Sequence, residues 1–286
     1  MTAPSQSQAT TGSCRADARD AATSQCRIIC GDNADVMHVL PSGCCDLIYA
    51  DPPFDVAGSS GGGAARHTAS GPDTRNRDGL LDFLRPRLIE MHRLLSDKGS
   101  LYVHLDWRTV HHVKVMLDGI FGPRQFLNEI IWSYRSGSRP SAWFARKHDT
   151  ILLYAKEPGR HVFNRQRGGS YRTRDLLFDA DGGPYKSTRN GPVRFHRDGP
   201  VLTDVWDIPI LSTVARERTG YPSQKPEALL ARIVLASSNE GDVVGDFFCG
   251  SGTTCVAAKR LKRRWLGCDI DPDAVAITTR RLDSVS

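Results

Sequence analysis

Five short apolar runs in this chain stop at an acidic residue or a glycine, and a stretch with helical spacing separates each from the next. They are Cys26 to Cys30, ending at Gly31-Asp32-Asn33; Cys45 to Ala50, running into Asp51-Pro52-Pro53-Phe54; Ser100 to Leu105, ending at Asp106; Asp242 to Phe248, opening onto Gly250-Ser251-Gly252; and Trp265 to Cys268, ending at Asp269. A strand buried on both faces reads as an unbroken apolar run rather than as an alternating one. Runs of this length alternating with helices predict an α/β fold: a mostly parallel twisted sheet with helices on both faces.

The helical stretches are Ala34 to Leu40, Leu80 to Leu95, Thr109 to Leu117, Pro226 to Ser237, Gly252 to Leu261 and Pro272 to Leu282. Glu129 to Tyr134 and Thr150 to Tyr154 read as a hairpin-like pair of strands. Two segments break the pattern. Residues 55 to 79 carry the Gly61-Gly62-Gly63 run and no apolar period, which predicts a mobile loop of the kind that serves as a lid. Residues 155 to 220 are dominated by Gly, Pro, Arg and Asp and predict an inserted substrate-binding region. Residues 1 to 25, rich in Ser, Thr, Ala and Gln, predict a disordered tail.

Of 286 residues, 40% are apolar and 24% charged, which excludes a disordered or fibrous chain. A run such as Ile151 to Tyr154 falls far short of the ~20 apolar residues a membrane span needs. The net charge of +6 is local, because residues 160 to 197 hold nine Lys/Arg against three Asp/Glu. A second basic stretch runs from Arg124 through Arg135, Arg139, Arg146 and Lys147. A charge run is ordinarily a solvated face, and a polyanion partner is the alternative. The eight cysteines include the adjacent Cys44 and Cys45 and form no facing pair of CxxC motifs, so they read as reduced cytosolic thiols, with no metal site.

Two corners carry chemistry. At Asp246-Phe247-Phe248-Cys249-Gly250-Ser251-Gly252, between strand and helix, glycines let the backbone approach a ligand closely, and the free amides of the helix start favour a negatively charged or electron-rich group. Asp269, about 20 residues on at the end of the next strand, is placed to accept both hydroxyls of a ribose. At Asp51-Pro52-Pro53-Phe54, two prolines donate no hydrogen bond and stiffen the chain, so the carboxylate and nearby carbonyls are acceptors without donors. With the flat face of Phe54, that suits a planar group bearing an NH₂.

Together these motifs resemble the amino-methyltransferases of DNA, which use S-adenosylmethionine. In that family an Asp-Pro-Pro-Tyr/Phe motif holds the target amine and a Phe-x-Gly-x-Gly motif holds the methionine part of the cofactor. The catalytic motif here precedes the cofactor motif, the circularly permuted order of the beta class. Tyr221-Pro222-Ser223-Gln224-Lys225-Pro226 is similar to its His/Tyr-Pro-Thr-Gln-Lys-Pro element. The resemblance covers residues 26 to 283 apart from the loop and the insertion. It implies a Rossmann-like methyltransferase fold with a catalytic half over 26–154, a target-recognition insertion over 155–220 and a cofactor half over 221–286.

The resemblance assigns Asp51, Pro52, Pro53 and Phe54 to the amine site, Asp246, Phe248, Gly250 and Gly252 to the methionine moiety and Asp269 to the ribose. Asp32 and its neighbours would meet the adenine edge, and Lys225 would lie near the cofactor carboxylate or the catalytic loop. Phe247 departs from the family's usual proline. The partner implied is double-stranded DNA, contacted by Arg165, Arg167, Arg172, Arg174, Arg189, Arg194 and Arg197 through phosphates or guanine edges. A cytoplasmic, nucleoid-associated bacterial location is expected, and a homodimer and a restriction endonuclease partner are compatible with it.

Aspartate at the head of the catalytic motif resembles the adenine enzymes, whereas many cytosine 4-amino enzymes carry serine there, so adenine is the expected target and cytosine the alternative. A DNA-binding module that transfers nothing is the alternative of another class. Methylation of a glutamine or RNA amine is a third, though those relatives usually place the glycine motif before an Asn-Pro-Pro-Tyr. His104, His111, His112 and His148 read as core or surface residues rather than bases. Trp107, Trp132 and Trp206 read as packing residues.

Overall fold

The computed structural model describes residues 26–53, 77–134 and 140–285; the tail, Phe54 with most of the expected glycine-rich loop, and the segment holding Arg135 and Arg139 lie outside the described residues. The strands are β1 (Cys26–Cys30), β2 (Cys45–Ala50), β3 (Leu95–Leu105), β4 (Phe126–Ser133), β5 (His148–Ala155), β6 (Leu177–Phe178), β7 (Pro184–Thr188), β8 (Gly191–Arg194), β9 (Val205–Asp207), β10 (Val243–Asp246) and β11 (Arg264–Asp269). The helices are α1 (Asn33–Val39), α2 (Arg77–Leu94), α3 (Val110–Phe121), α4 (Glu227–Ser237), α5 (Thr253–Arg260) and α6 (Pro272–Asp283). Since α2 already runs at Arg77, the last three residues of the expected loop are helical.

Eight strands form one sheet in the order β1-β11-β10-β2-β3-β5-β4-β9, and β6, β7 and β8 form a separate three-stranded sheet. Every pairing in the large sheet is parallel except those of β5, which lies antiparallel between β3 and β4. The expected β4/β5 pair is therefore present, and β9 returns from the insertion to pair with Trp132 and its neighbours on β4.

Successive residues of a strand face opposite sides, and β2 shows the result. Ile48 and Ala50 face a core shared with α1, α2 and α3, while Leu47 and Tyr49 face a second core shared with α4 and part of α5. Both sides being covered is the reason Cys45 to Ala50 is apolar without alternation. In α2, Leu80, Leu84, Leu88 and Met91 recur at helical spacing and are all buried. Helix starts follow their caps: Asp32 accepts the Ala34 amide at 2.8 Å before α1, and Asp271 accepts the Asp273 amide at 2.9 Å before α6, with Pro272 in the first turn.

Candidate active site

Asp246 pairs in register with Tyr49 of β2 and Gly267 of β11, and Cys30 of β1 with Asp269. Because these strands are parallel, Asp32, Asp51, Asp246 and Asp269 all leave from one edge of the sheet. The chain goes from β2 to α2 in the first core and from β10 to α5 on the opposite face. Crossovers that depart to opposite faces of neighbouring strands open a crevice at the carboxyl edge, where α/β sheets take their ligands. The two corners picked out in the sequence thus lie on adjacent strands.

The turn after β10 is held by its own carboxylates. Phe248 donates its amide to Asp246 Oδ1 at 3.1 Å, and Gly250 donates its amide to Asp269 Oδ2 at 2.7 Å. Asp269 Oδ1 accepts the Asp271 amide at 3.0 Å, and the Thr278 hydroxyl donates to the Gly250 carbonyl at 2.9 Å. Gly250 and Gly252 have φ of 49° and 75°, a region in which a side chain is strained. The Tyr221 ring rests on Gly250: a Cβ there would come within 2.9 Å of it. Asp246 is buried, and burial pushes its carboxyl up to about 7, with the Asp51 and Asp269 charges adding to the rise and hydrogen bonds from Thr254 and Phe248 opposing it.

Phe247 is fully buried in the first core, and its carbonyl accepts Asn33 Nδ2 at 2.6 Å, so a side-chain bond fixes the turn where the family has proline. Asn33 is held in turn by Arg87, whose Nε donates to Asn33 Oδ1 at 2.6 Å while its Nη2 donates to both Asp32 oxygens at 2.8 and 3.1 Å. The guanidinium also lies 3.6 Å from the centre of the Phe83 ring. Asp32 is thus at once a helix cap and an ion-pair partner, with 41% of its side chain exposed. The buried Arg87 carried no sequence signal, because its partners Asn33 and Asp32 are 54 and 55 residues away.

At the second corner, Lys225 Nζ forms an ion pair with Asp51 Oδ2. Oδ1 of the same carboxylate is buried and accepts no hydrogen bond from the described residues. Lys225 also lines a cavity of about 360 Å³ together with Trp132, Tyr134, Asp149, Ile210 and Tyr221. A polar chain runs beneath: Tyr49 Oη and His104 Nδ1 are 2.8 Å apart, His104 Nε2 and Asp149 Oδ2 3.2 Å, and Tyr134 Oη donates to Asp149 Oδ1 at 3.1 Å. Burial alone would raise the Asp149 carboxyl, but His104, Lys225 and Tyr134 bring it below its ordinary value. His104 is fully buried, a core histidine with polar partners. Cys249, Cys255 and Cys268 are buried near the glycine turn, and burial pushes their thiols up, so none is an activated nucleophile.

All seven arginines expected at the insertion are exposed. Arg194 is ion-paired with Asp179, and Arg167 donates to the Gly199 carbonyl at 3.3 Å. Arg165, Arg172, Arg174, Arg189 and Arg197 have no ion pair among the described residues. Trp132 and Trp206 are buried as expected, but Trp107 is 43% exposed, which corrects its reading as a packing residue. It lies two residues past the end of β3 at the sheet edge, where the helix that covers the strand has yet to begin.

A family model described as DNA methylase, for N-6 and N-4 methyltransferases, matches residues 45–280. The chain belongs to that family. It is 30% identical to the type II methyltransferase M.HpaI of Haemophilus parainfluenzae, over 90% of this chain and 74% of that one. It is also 30% identical to the DNA adenine methyltransferase YhdJ of Escherichia coli K12, over 91% and 83%. Among solved structures, the putative DNA modification methylase TTHA0409 of Thermus thermophilus, complexed with S-adenosyl-L-methionine, superposes with a TM-score of 0.59 at 25% identity, covering 91% of this chain and 94% of the other. The cytosine-N4-specific PvuII methyltransferase shares the fold, with a TM-score of 0.60 at 14% identity over 91% and 87%.

This chain is accordingly a DNA methyltransferase whose methyl donor is S-adenosylmethionine. Its residues fit that donor. Two glycines leave no side chain over the turn, and each Asp269 oxygen that accepts an amide has the lone pairs to accept a hydroxyl as well. Asp246 is a buried carboxylate whose ionised form calls for a cation.

Proposed function

We propose that the chain methylates the 6-amino group of an adenine turned out of duplex DNA. The observation that carries this reading is the buried Oδ1 of Asp51, which has no donor among the described residues, one strand away from the glycine turn. Leaving a buried acceptor without a donor costs about 1–3 kcal/mol, and such groups concentrate where function supplies the partner. With Oδ2 held by Lys225, Oδ1 is the oxygen that accepts one N–H of the amine, and the Pro52 carbonyl accepts the other.

An aromatic amine is a weak nucleophile because its lone pair is delocalised into the ring. Two acceptors set off the ring plane let the nitrogen pyramidalise and point that lone pair at the methyl carbon. S-adenosylmethionine, when bound, supplies an electrophilic methyl on a sulfonium. With the donor bound, the nitrogen held by Asp51 and the Pro52 carbonyl would attack that methyl carbon in line, the C–S electron pair leaving with sulfur and the surplus proton passing from nitrogen to Asp51 Oδ1, which already accepts that N–H. Orientation within the crevice carries much of the rate, and fixed acceptor dipoles stabilise the positive charge growing on nitrogen. Extrusion of the base costs a few kcal/mol; stacking on Phe54 and occupation of the cavity that Lys225 lines offset it.

In this reading Asp246, Phe248, Gly250 and Gly252 meet the methionine part, Asp269 the ribose and Asp32 the adenine edge of the donor. The insertion, with its five arginines outside any ion pair among the described residues, reads the DNA. In this reading the protein works on the chromosome in the cytoplasm, and a restriction endonuclease partner is compatible with it. Methylated DNA digested to nucleosides and analysed by mass tests the target: 6-methyladenine is expected, and 4-methylcytosine alone overturns adenine.

A further inference from the structure

Trp107, Trp143 and Phe144 are 43%, 60% and 98% exposed. Trp107 and Trp143 share one cation, and Phe144 follows Trp143 in the chain. The Arg146 guanidinium lies 3.7 Å from the centre of the Trp107 ring and 5.7 Å from that of Trp143, and the Arg108 guanidinium lies 5.0 Å from Trp107. Asp106 fixes Arg108 through its amide at 2.9 Å and its Nη1 at 2.5 Å. Arg146 has no ion pair among the described residues.

The sheet register locates this cluster. Ala50 pairs with Val103, and Leu105 with Thr150, so Trp107 leaves β3 and Arg146 enters β5 at the edge where Asp51 leaves β2. Exposed aromatic faces interleaved with guanidinium groups, at the mouth of a crevice that takes an extruded base, match one chemistry. A nucleotide whose base has lost its stacking neighbour offers a π face and a phosphate together.

We propose that Trp143 and Phe144 stack on an unstacked base of the strand beside the extruded one, while Arg146 meets its phosphate. The proposal rests on the DNA reading above and adds to it a contact surface outside the insertion. Loss of both rings removes a stacking platform; loss of the cation removes one phosphate contact.

Anisotropy of a fluorescein-labelled short DNA single strand, and of the matching duplex, tests it on the full chain. The Trp143→Ala/Phe144→Ala variant is expected to bind the single strand about fivefold or more weakly than the parent, and a smaller loss overturns the proposal. Phe144→Trp is expected to keep parental affinity, which a role in shaping the loop would not predict; loss of affinity there overturns it as well. Arg146→Gln is expected to lower the slope of log affinity against log salt by about one. Phe144 touches almost nothing in the protein, so should the double variant fail to fold, Phe144→Ala alone carries the same comparison. A parent chain that binds no DNA overturns this proposal together with the proposed function, whereas a binding parent with an unaffected variant overturns this one alone.

Discussion

Asp51 and Asp246 are carboxylates on adjacent strands with opposite electrostatic situations, and each leads to a different measurement. Asp51 faces Lys225, and both side chains are largely buried, 16% and 11% exposed. Asp51→Ala removes an acceptor from the amine site without touching the glycine turn. Transfer of labelled methyl is expected to vanish while cofactor affinity by calorimetry stays within about tenfold. The same change removes the carboxylate paired with a largely buried ammonium, so the thermal midpoint falls too. Asp51→Ala/Lys225→Met is expected to recover much of the stability and none of the activity; recovered activity would refute the role of Asp51. Asp246 has a folded pKa of about 7, raised above the ordinary carboxylate value by burial. The folded chain therefore holds a proton that the unfolded chain has lost. The stability it contributes is complete below about pH 4 and declines by up to about 4 kcal/mol as pH rises to about 7. Asp246→Asn is expected to flatten that part of the urea-stability profile. For the cofactor the sign reverses, because the ionised carboxylate attracts the cationic methionine part. Affinity is expected to tighten as pH rises through about 7 in the parent and to stay level in Asp246→Asn.

At the scale of elements, the glycine turn works by bringing α5 against α6. A Cβ on Gly252 would stand 2.8 Å from Thr278 Cβ, and Thr278 is anchored by its bond to the Gly250 carbonyl. Thr278 is fully buried and has nowhere to move. Gly252→Ala is expected to cost about 2 kcal/mol or more in urea unfolding, combining backbone strain with overpacking. Gly241→Ala is the control: its φ is 84° but open space surrounds it, so only the left-handed backbone penalty of about 1 kcal/mol applies. Equal losses at the two glycines would show that helix approach is not what Gly252 serves. The same elements explain what could be read from sequence. β2 and β10 are buried on both faces, so composition alone betrays them, and β1, β2, β10 and β11 each end in or run into the acidic or glycine residue that forms the crevice. What escaped depends on contacts across the fold. Arg87 looked like any charge on a helix, yet it ties Asp32 and Asn33 to the Phe247 turn. Trp107 has the residue type of a core position but sits past the strand end, and two of the seven insertion arginines turn out to be engaged by Asp179 and Gly199. Neither periodicity nor motif spacing reports such pairings, because side chains distant in sequence make them.

Across the whole molecule, the strand order interleaves the two ends of the chain: β11 and β10, from the C-terminal half, lie between β1 and β2 from the N-terminal half. Each large core mixes both halves as well. Val243, Phe247, Leu266 and Cys268 pack with α1, α2 and α3, while Leu229, Leu230, Ile233 and Val234 of α4 cover Leu47, Tyr49 and Tyr102. Without residues 221–285, β1 would have no neighbour and β2 an open edge, and β10 and β11 alone make only a two-stranded pair that needs β1 and β2 on either side. The cofactor turn and the amine corner therefore belong to one cooperative unit, and what stabilises one stabilises the other. The full chain is expected to unfold in urea in a single transition, with tryptophan fluorescence and far-ultraviolet circular dichroism coincident. S-adenosylmethionine at about a hundred times its dissociation constant is expected to move that entire transition, by about 2.7 kcal/mol. The small sheet of β6, β7 and β8 is separate from this unit and largely exposed, so hydrogen exchange is expected to open residues 184–194 well below the global free energy. Two resolved transitions, of which the cofactor shifts only the later half of the chain, would mean that binding energy gained at the glycine turn does not reach Asp51.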